Sequence, residues 1–191
     1  MNLANKLTIW RIILIPFFII CFYIPGLALS YLTIGSFHLP YSHVLGLIIF
    51  LIAAITDFFD GHIARKHNMI TDFGKFMDPL ADKLLVTAAF LIFVEQGVVP
   101  AWVVFIILAR EFMVTGLRTI AAAKGVIMAA GWTGKLKTVV QFAMIAVLLL
   151  LNWPFSLWGI PLGDLLIWLA VLLTVISGAE YLFKNLNVLK G

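Results

Sequence analysis

The sequence predicts an all-α integral membrane protein with six transmembrane helices, and three observations predict it. Hydrophobic residues make up 63% of the 191 residues and charged residues only 12%, with a mean hydropathy of +1.12, a balance foreign to soluble domains. Six apolar runs are close to the ~20 residues that a helix needs to cross a bilayer core. Finally, Lys6, Arg11, Arg65, Lys66, Lys75, Lys124, Lys135, Lys137, Lys184 and Lys190 flank the runs on one side, whereas the three loops expected opposite contain no Lys or Arg. By the positive-inside rule both termini are then cytoplasmic, in a multi-pass protein of the cell (plasma) membrane.

Taken in order, residues 2 to 7 form a short amphipathic lead suited to the headgroup level, with Asn5 and Thr8 as possible headgroup contacts. The first span runs from Thr8 to about Ser30, with Pro16, Pro25 and Gly26 permitting bends. No small-x-small cleavage site follows it, so it is expected to be retained. Residues 31 to 42, with Gly35, Pro40 and Ser42, read as a connection. The remaining spans are expected at His43 to Arg65, Phe73 to Glu95, Trp102 to Ala123, Thr133 to Leu151 and Pro161 to Phe183. Asn152, Trp153, Pro154, Trp158, Gly159 and Pro161 form an interfacial turn with aromatic anchors. No repeat or low-complexity tract interrupts the chain, so residues 1–191 read as a single membrane-embedded domain.

Composition also excludes some chemistry. The one cysteine, Cys21, rules out a disulfide within the chain and any C-x-x-C site. The net charge of +4 is spread beside apolar segments without a long basic run, which suits anionic lipid and phosphate and argues against nucleic acid. His38, His43, His62 and His67 have no metal-ligand spacing and are expected in core, interface or loop roles.

Five of the nine acidic residues fall between Asp57 and Asp82. Asp57 pairs with Asp60 and Asp78 with Asp82 at spacings of three and four, so each pair lies on one face of a helix. Small residues share that geometry: Gly61 and Ala64 lie one and two turns beyond Asp57, and Gly74 one turn before Asp78. The plain alternative is a pair of solvated acidic helix ends. Against it, Phe58, Phe59, Ile63, Phe73, Phe76, Met77, Leu80 and Leu84 surround the acids with apolar bulk. Asp57 would lie about 12 Å deep by the helical rise from Arg65. A charge at the membrane centre costs roughly 2.5 to 3.5 kcal/mol on the mildest scales. Four aspartates are tolerable there if they face a wet cavity and bind a hard divalent cation, Mg²⁺ or Mn²⁺, through oxygen.

The string D-x2-D-G-x2-A-R-x8-G-x3-D-x3-D, running from Asp57 to Asp82, matches without departure the signature of the CDP-alcohol phosphatidyltransferase family. N-K-L-T-I-W-R at residues 5 to 11, A-R-E-F-M-V-T-G-L-R at 109 to 118 and G-K-L-K-T at 134 to 138 resemble the branch that makes phosphatidylglycerophosphate. The resemblance implies transfer of a phosphatidyl group from CDP-diacylglycerol to sn-glycerol 3-phosphate, with release of CMP, by a protein embedded in membrane lipid. It further implies that Asp57, Asp60, Asp78 and Asp82 hold one or two divalent ions and that Asp82 is also the base. Asp57, Asp60, Gly61, Ala64, Arg65, Gly74 and Asp78 would bind CDP, and the enzyme would be a homodimer.

Span four adds Arg110, Glu111 and Arg118, and span five begins with Lys135 and Lys137. Arg110 and Arg118 are about 80° apart on a helical wheel, with Glu111 close to the face of Arg118. An internal Arg–Glu pair is one reading. The other is a clamp on the acceptor's phosphate, since guanidinium offers paired donors to phosphate oxygens. The two lysines serve equally as topology signals, but together with the arginines they favour an anionic substrate. Charge alone leaves glycerol phosphate and inositol phosphate tied, with inositol, serine or phosphatidylglycerol as further acceptors for the same chemistry. A divalent-cation channel or transporter is the competing class, because intramembrane carboxylates also line ion paths. Against it, the acids cluster near one surface, and the opposite half of spans two and three offers no acid but Glu95.

Overall fold

The structure is a computed structural model that describes the backbone over residues 3–35, 37–66, 72–125 and 131–185. The side chains of residues 3–7, 57–66, 72–79 and 82 lie outside the described residues. The elements are α1 (Leu3–Tyr23), α2 (Pro25–Leu29), β1 (Tyr31–Ile34), β2 (Phe37–Pro40), α3 (Tyr41–Lys66), α4 (Asp72–Glu95), α5 (Ala101–Ala123), α6 (Trp132–Leu149), a 3₁₀ turn at Phe155–Trp158 and α7 (Leu162–Lys184). They fall into two compact units, one of Met1–Ile92 with Leu149–Leu151, the other of Phe93–Leu148 with Asn152–Gly191.

In the first unit α1 packs along α3. Phe18 and Phe22 meet edge to face at 5.3 Å, and Phe22 meets His43 in the same way. Gly46 makes this approach possible, because a Cβ there would stand 2.8 Å from the Phe22 ring. His43 is buried beside the Ser42 hydroxyl, a core role of the kind its sequence context suggested. Cys21 is buried as well. Thr8 is fully buried, and the side chain of Asn5 lies outside the described residues.

Three expectations are corrected here. The first apolar run is not one helix: Ile24 takes an extended backbone (φ −81°, ψ 113°) before Pro25, which opens a separate short helix. Proline's Cδ clashes with a helical residue before it, so the chain breaks there, whereas Pro16 is carried inside α1. The lead from residue 3 is continuous with α1 and forms no separate segment. The connection at 31 to 42 holds an antiparallel hairpin, Tyr31 opposite Pro40 and Ile34 opposite Phe37. Gly35 begins its turn at φ +62°, a conformation open to glycine. The fold class is therefore helical with one small hairpin.

In the second unit α5 packs on α7. The buried face of α7 is Gly163, Ile167, Ala170, Thr174, Ser177, Gly178 and Tyr181, a stripe at three- and four-residue spacing made mostly of small or hydroxylated residues. Its outward face carries Leu165, Trp168, Leu172, Val175 and Phe183, each more than half exposed. Small residues inside and large apolar residues outside invert the pattern of a soluble helix and match one that packs closely on neighbours and faces lipid. Among the described residues α6 and α7 are the two helices long and apolar enough to cross a membrane. The turn between them is closed by Asn152, whose Oδ1 accepts from Gly163 N–H (3.0 Å) and whose Nδ2 donates to the Ile160 carbonyl (2.7 Å).

Candidate active site

The middle and end of α5, the start of α6 and the end of α7 line an open cavity of about 400 Å³ in the second unit. Periodicity selects its lining. Arg110 and Glu111, then Arg118 two turns later, come from α5; Thr133, Lys135 and Lys137 come from the first turns of α6; Ser177, Glu180, Tyr181 and Lys184 come from the last turns of α7. The four residues expected to hold a phosphate, Arg110, Arg118, Lys135 and Lys137, thus line one cavity. Five cationic side chains face it against two carboxylates. Lys135 and Lys137 also stand at a helix start, where backbone N–H groups already carry positive partial charge. An anion is the occupant that such a field favours.

The cations are held in two different ways. Glu111 Oε1 accepts from Arg110 Nη1 at 3.2 Å and also pairs with Lys137 Nζ. The Lys137 side chain is only 3% exposed, so this carboxylate supplies the counter-charge that a buried ammonium requires. The internal Arg–Glu pair and the cation-lined cavity are therefore both present, and Glu111 serves Arg110 and Lys137. Arg118 instead donates its Nε–H to Tyr181 Oη at 3.2 Å, with its guanidinium carbon 5.5 Å from the ring centre. Gly178 gives Arg110 its room, since a Cβ there would stand 3.1 Å from Arg110 Cγ, whereas one at Gly134 would make ordinary contact with Arg110 Nη2 at 3.5 Å. Arg110 Nε is buried with no hydrogen-bond partner among the described residues.

Sequence reasoning missed Tyr181, Thr133, Lys184 and the partners of Glu180. The structure supplies two: Thr133 Oγ1 donates to Glu180 Oε2 at 2.6 Å, and Lys184 Nζ pairs with Glu180 Oε1. The available signal was E-Y-x-x-K at residues 180 to 184, polar groups one turn apart closing an otherwise apolar helix.

In the first unit Asp57, Asp60, Gly61, Ala64 and Arg65 lie in the last turns of α3, and Gly74, Asp78 and Asp82 in the first half of α4. Both stretches are unbroken helix, so the spacings of three and four hold each aspartate pair to one face. The aspartate side chains, and with them the expected metal and CDP contacts, lie outside the described residues. The donor set fits a hard divalent cation, since four carboxylates offer oxygen alone.

A helical membrane protein with paired carboxylates on consecutive helices and a cationic cavity is equipped to handle phosphorylated lipid precursors. The chain belongs to the CDP-alcohol phosphatidyltransferase family, whose sequence profile matches residues 1–176. It is 49% identical over 189 residues to the CDP-diacylglycerol–glycerol-3-phosphate 3-phosphatidyltransferase of Bacillus subtilis (strain 168), covering 99% of this chain and 97% of that protein. The protein of the same name from Rickettsia bellii (strain RML369-C) is 39% identical over 181 residues, covering 94% of this chain and 93% of the relative. A probable phosphatidylglycerophosphate synthase of Mycobacterium tuberculosis (strain ATCC 25618 / H37Rv) is 40% identical over 191 residues, covering 100% and 84%.

Proposed function

We propose that this enzyme transfers the phosphatidyl group of CDP-diacylglycerol to sn-glycerol 3-phosphate, giving phosphatidylglycerophosphate and CMP. The observation that carries the acceptor is the convergence of Arg110, Arg118, Lys135 and Lys137 on one cavity. A phosphomonoester carries nearly two negative charges near neutral pH, which such a lining suits; neutral inositol needs no cation, and serine's ammonium is repelled. Inositol phosphate satisfies the same charge. The tie is broken by the relatives, whose names specify glycerol 3-phosphate.

In this reading the acceptor's phosphate is held by the cations of the cavity, and its primary hydroxyl attacks the phosphorus of the phosphatidyl group. A new P–O bond forms, the P–O bond to CMP breaks, and CMP leaves with the electron pair. Asp82 accepts the hydroxyl proton. Gly61, Ala64, Arg65 and Gly74, with Asp57, Asp60 and Asp78, receive the CDP moiety. When bound by Asp57, Asp60, Asp78 and Asp82, a divalent cation, Mg²⁺ or Mn²⁺, supplies charge neutralisation to the diphosphate and to departing CMP.

The reading includes six spans, α1 and α3 to α7, in the plasma membrane, with both termini and the aspartates on the cytoplasmic side. It is supported by helix lengths of 18 to 26 residues and by the one-sided basic residues. One family profile running from residue 1 to 176 through both units supports a single catalytic domain. A homodimer is what the family resemblance implies.

The deciding experiment is CMP release by purified protein in detergent with CDP-diacylglycerol and a panel of acceptors. Glycerol 3-phosphate is expected to support turnover. Release with inositol phosphate, inositol or serine, but not with glycerol 3-phosphate, would overturn the acceptor and leave the reaction class standing.

A further inference from the structure

We infer that Tyr181 is a positioning residue for acceptor binding, fixing the plane of the Arg118 guanidinium before substrate arrives; this rests on the acceptor-phosphate reading of the cavity. Arg118 meets Tyr181 twice, through the Nε–H to Oη hydrogen bond at 3.2 Å and through a guanidinium carbon 5.5 Å from the ring centre. One contact fixes a point of the guanidinium; the other fixes where the group lies against the ring. A guanidinium carries five N–H groups in a planar fork, so using Nε leaves the two Nη groups for a phosphate, which they bind in a bidentate manner.

Tyr181 is a rigid support. It is 7% exposed and packs with buried Val114 and Leu117, backed by Met113 and Leu182. It is also neutral. Arg110 and Lys137 share the carboxylate of Glu111, and a phosphate reaching them competes with that anion. Tyr181 orients Arg118 without cancelling its charge. Freezing a rotamer-rich side chain in advance removes that ordering cost from binding, so the benefit appears in acceptor affinity and not in the chemical step.

The test is steady-state kinetics of CMP release in detergent for Tyr181→Phe, Arg118→Lys, Arg118→Ala and the double variant Tyr181→Phe/Arg118→Ala. Tyr181→Phe keeps the ring and its packing and removes only Oη. It is expected to raise KM for glycerol 3-phosphate by about 10-fold, the scale of one hydrogen bond to a charged group, with kcat and KM for CDP-diacylglycerol unchanged. Arg118→Lys keeps the charge and leaves Tyr181 untouched but removes the whole planar fork, both the Nε–H bonded to Tyr181 and the Nη groups left for the phosphate; it is expected to raise KM at least as much. In the Arg118→Ala background the Tyr181→Phe change is expected to have no further effect. Wild-type KM in Tyr181→Phe or Arg118→Lys, or additive effects in the double variant, would overturn the positioning role while leaving the cavity reading intact. An unchanged KM for glycerol 3-phosphate in Arg118→Ala would instead overturn the cavity reading itself.

Discussion

Gly178 of α7 lies directly against Arg110 of α5: a Cβ added at Gly178 would stand 3.1 Å from Arg110 Cγ and 3.7 Å from Met113 Cε. The absent side chain is what lets a bulky guanidinium stem cross a packed helix pair. Alanine is expected to be absorbed by a shift of a few tenths of an ångström. Gly178→Val places branched bulk where the stem runs, at about 1 to 3 kcal/mol for overpacking, and displaces Arg110 from the cavity. The expected outcome is a lower unfolding temperature and a rise of roughly 10-fold in KM for glycerol 3-phosphate, the scale of one charge-assisted hydrogen bond. Kinetics with each substrate varied in turn would check it, and an unchanged KM in a folded Gly178→Val protein would remove Arg110 from the anion seat.

The Glu111–Lys137 pair predicts an asymmetry between single and double changes. Lys137 is nearly buried and Glu111 is 22% exposed, so Glu111→Gln removes the carboxylate that pairs with this ammonium and with Arg110, at a cost on the order of 2 kcal/mol once partial exposure is allowed for. Lys137→Met added to Glu111→Gln removes the buried charge that had lost this carboxylate, and much of the lost stability is expected to return. Thermal unfolding in detergent of the two single variants and the double variant measures this directly. If the double variant were less stable than Glu111→Gln alone, the pair would not be the source of the loss.

The one-sided basic residues predict labelling from opposite faces. Gln96, between α4 and α5, and Lys124, at the end of α5, are both exposed. Native Cys21 is buried, so background labelling is low. In intact cells Gln96→Cys is expected to react with a membrane-impermeant thiol reagent and Lys124→Cys only after the membrane is opened. The reverse pattern would invert the proposed topology.

Helix positions after the first hairpin were legible because apolar runs bounded by polar residues mark their own ends: Trp102 to Ala123 was expected and Ala101–Ala123 is found, Phe73 to Glu95 was expected and Asp72–Glu95 is found. The hairpin was written in the sequence as well. Y-L-T-I and F-H-L-P flank Gly35 and Ser36, aromatic and β-branched residues about a turn pair, but Gly and Pro suggested only a connection. Partners within the cavity were beyond reach for a different reason. Wheel geometry places Glu111 near Arg118 on one helix, yet Glu111 bonds Lys137 across to α6, and Arg118 finds Tyr181 63 positions away. Pairing between helices depends on how they pack, and a single helix's periodicity carries no information about that. The small residue that admits Arg110, Gly178, is equally silent until its neighbour is known.

The final prediction separates the proposed base from the other aspartates. Asp57, Asp60 and Asp78 are assigned to metal and CDP, whereas Asp82 would do a second task, taking the proton as the acceptor's hydroxyl attacks. An asparagine keeps the shape and one acceptor oxygen of aspartate but cannot take that proton. Asp82→Asn is therefore expected to lower kcat for CMP release by at least about 100-fold, the low end of what a positioned base contributes, while CDP-diacylglycerol binding measured by calorimetry stays detectable. Asp57→Asn, Asp60→Asn and Asp78→Asn remove oxygen charge from the metal and nucleotide sites, so they are expected to weaken metal-dependent binding as well as turnover. EDTA should stop the wild-type reaction and added Mg²⁺ or Mn²⁺ should restore it. Two outcomes break the assignment in different places. Wild-type turnover in Asp82→Asn removes Asp82 from the base role, and full activity in EDTA removes the metal from the reaction altogether.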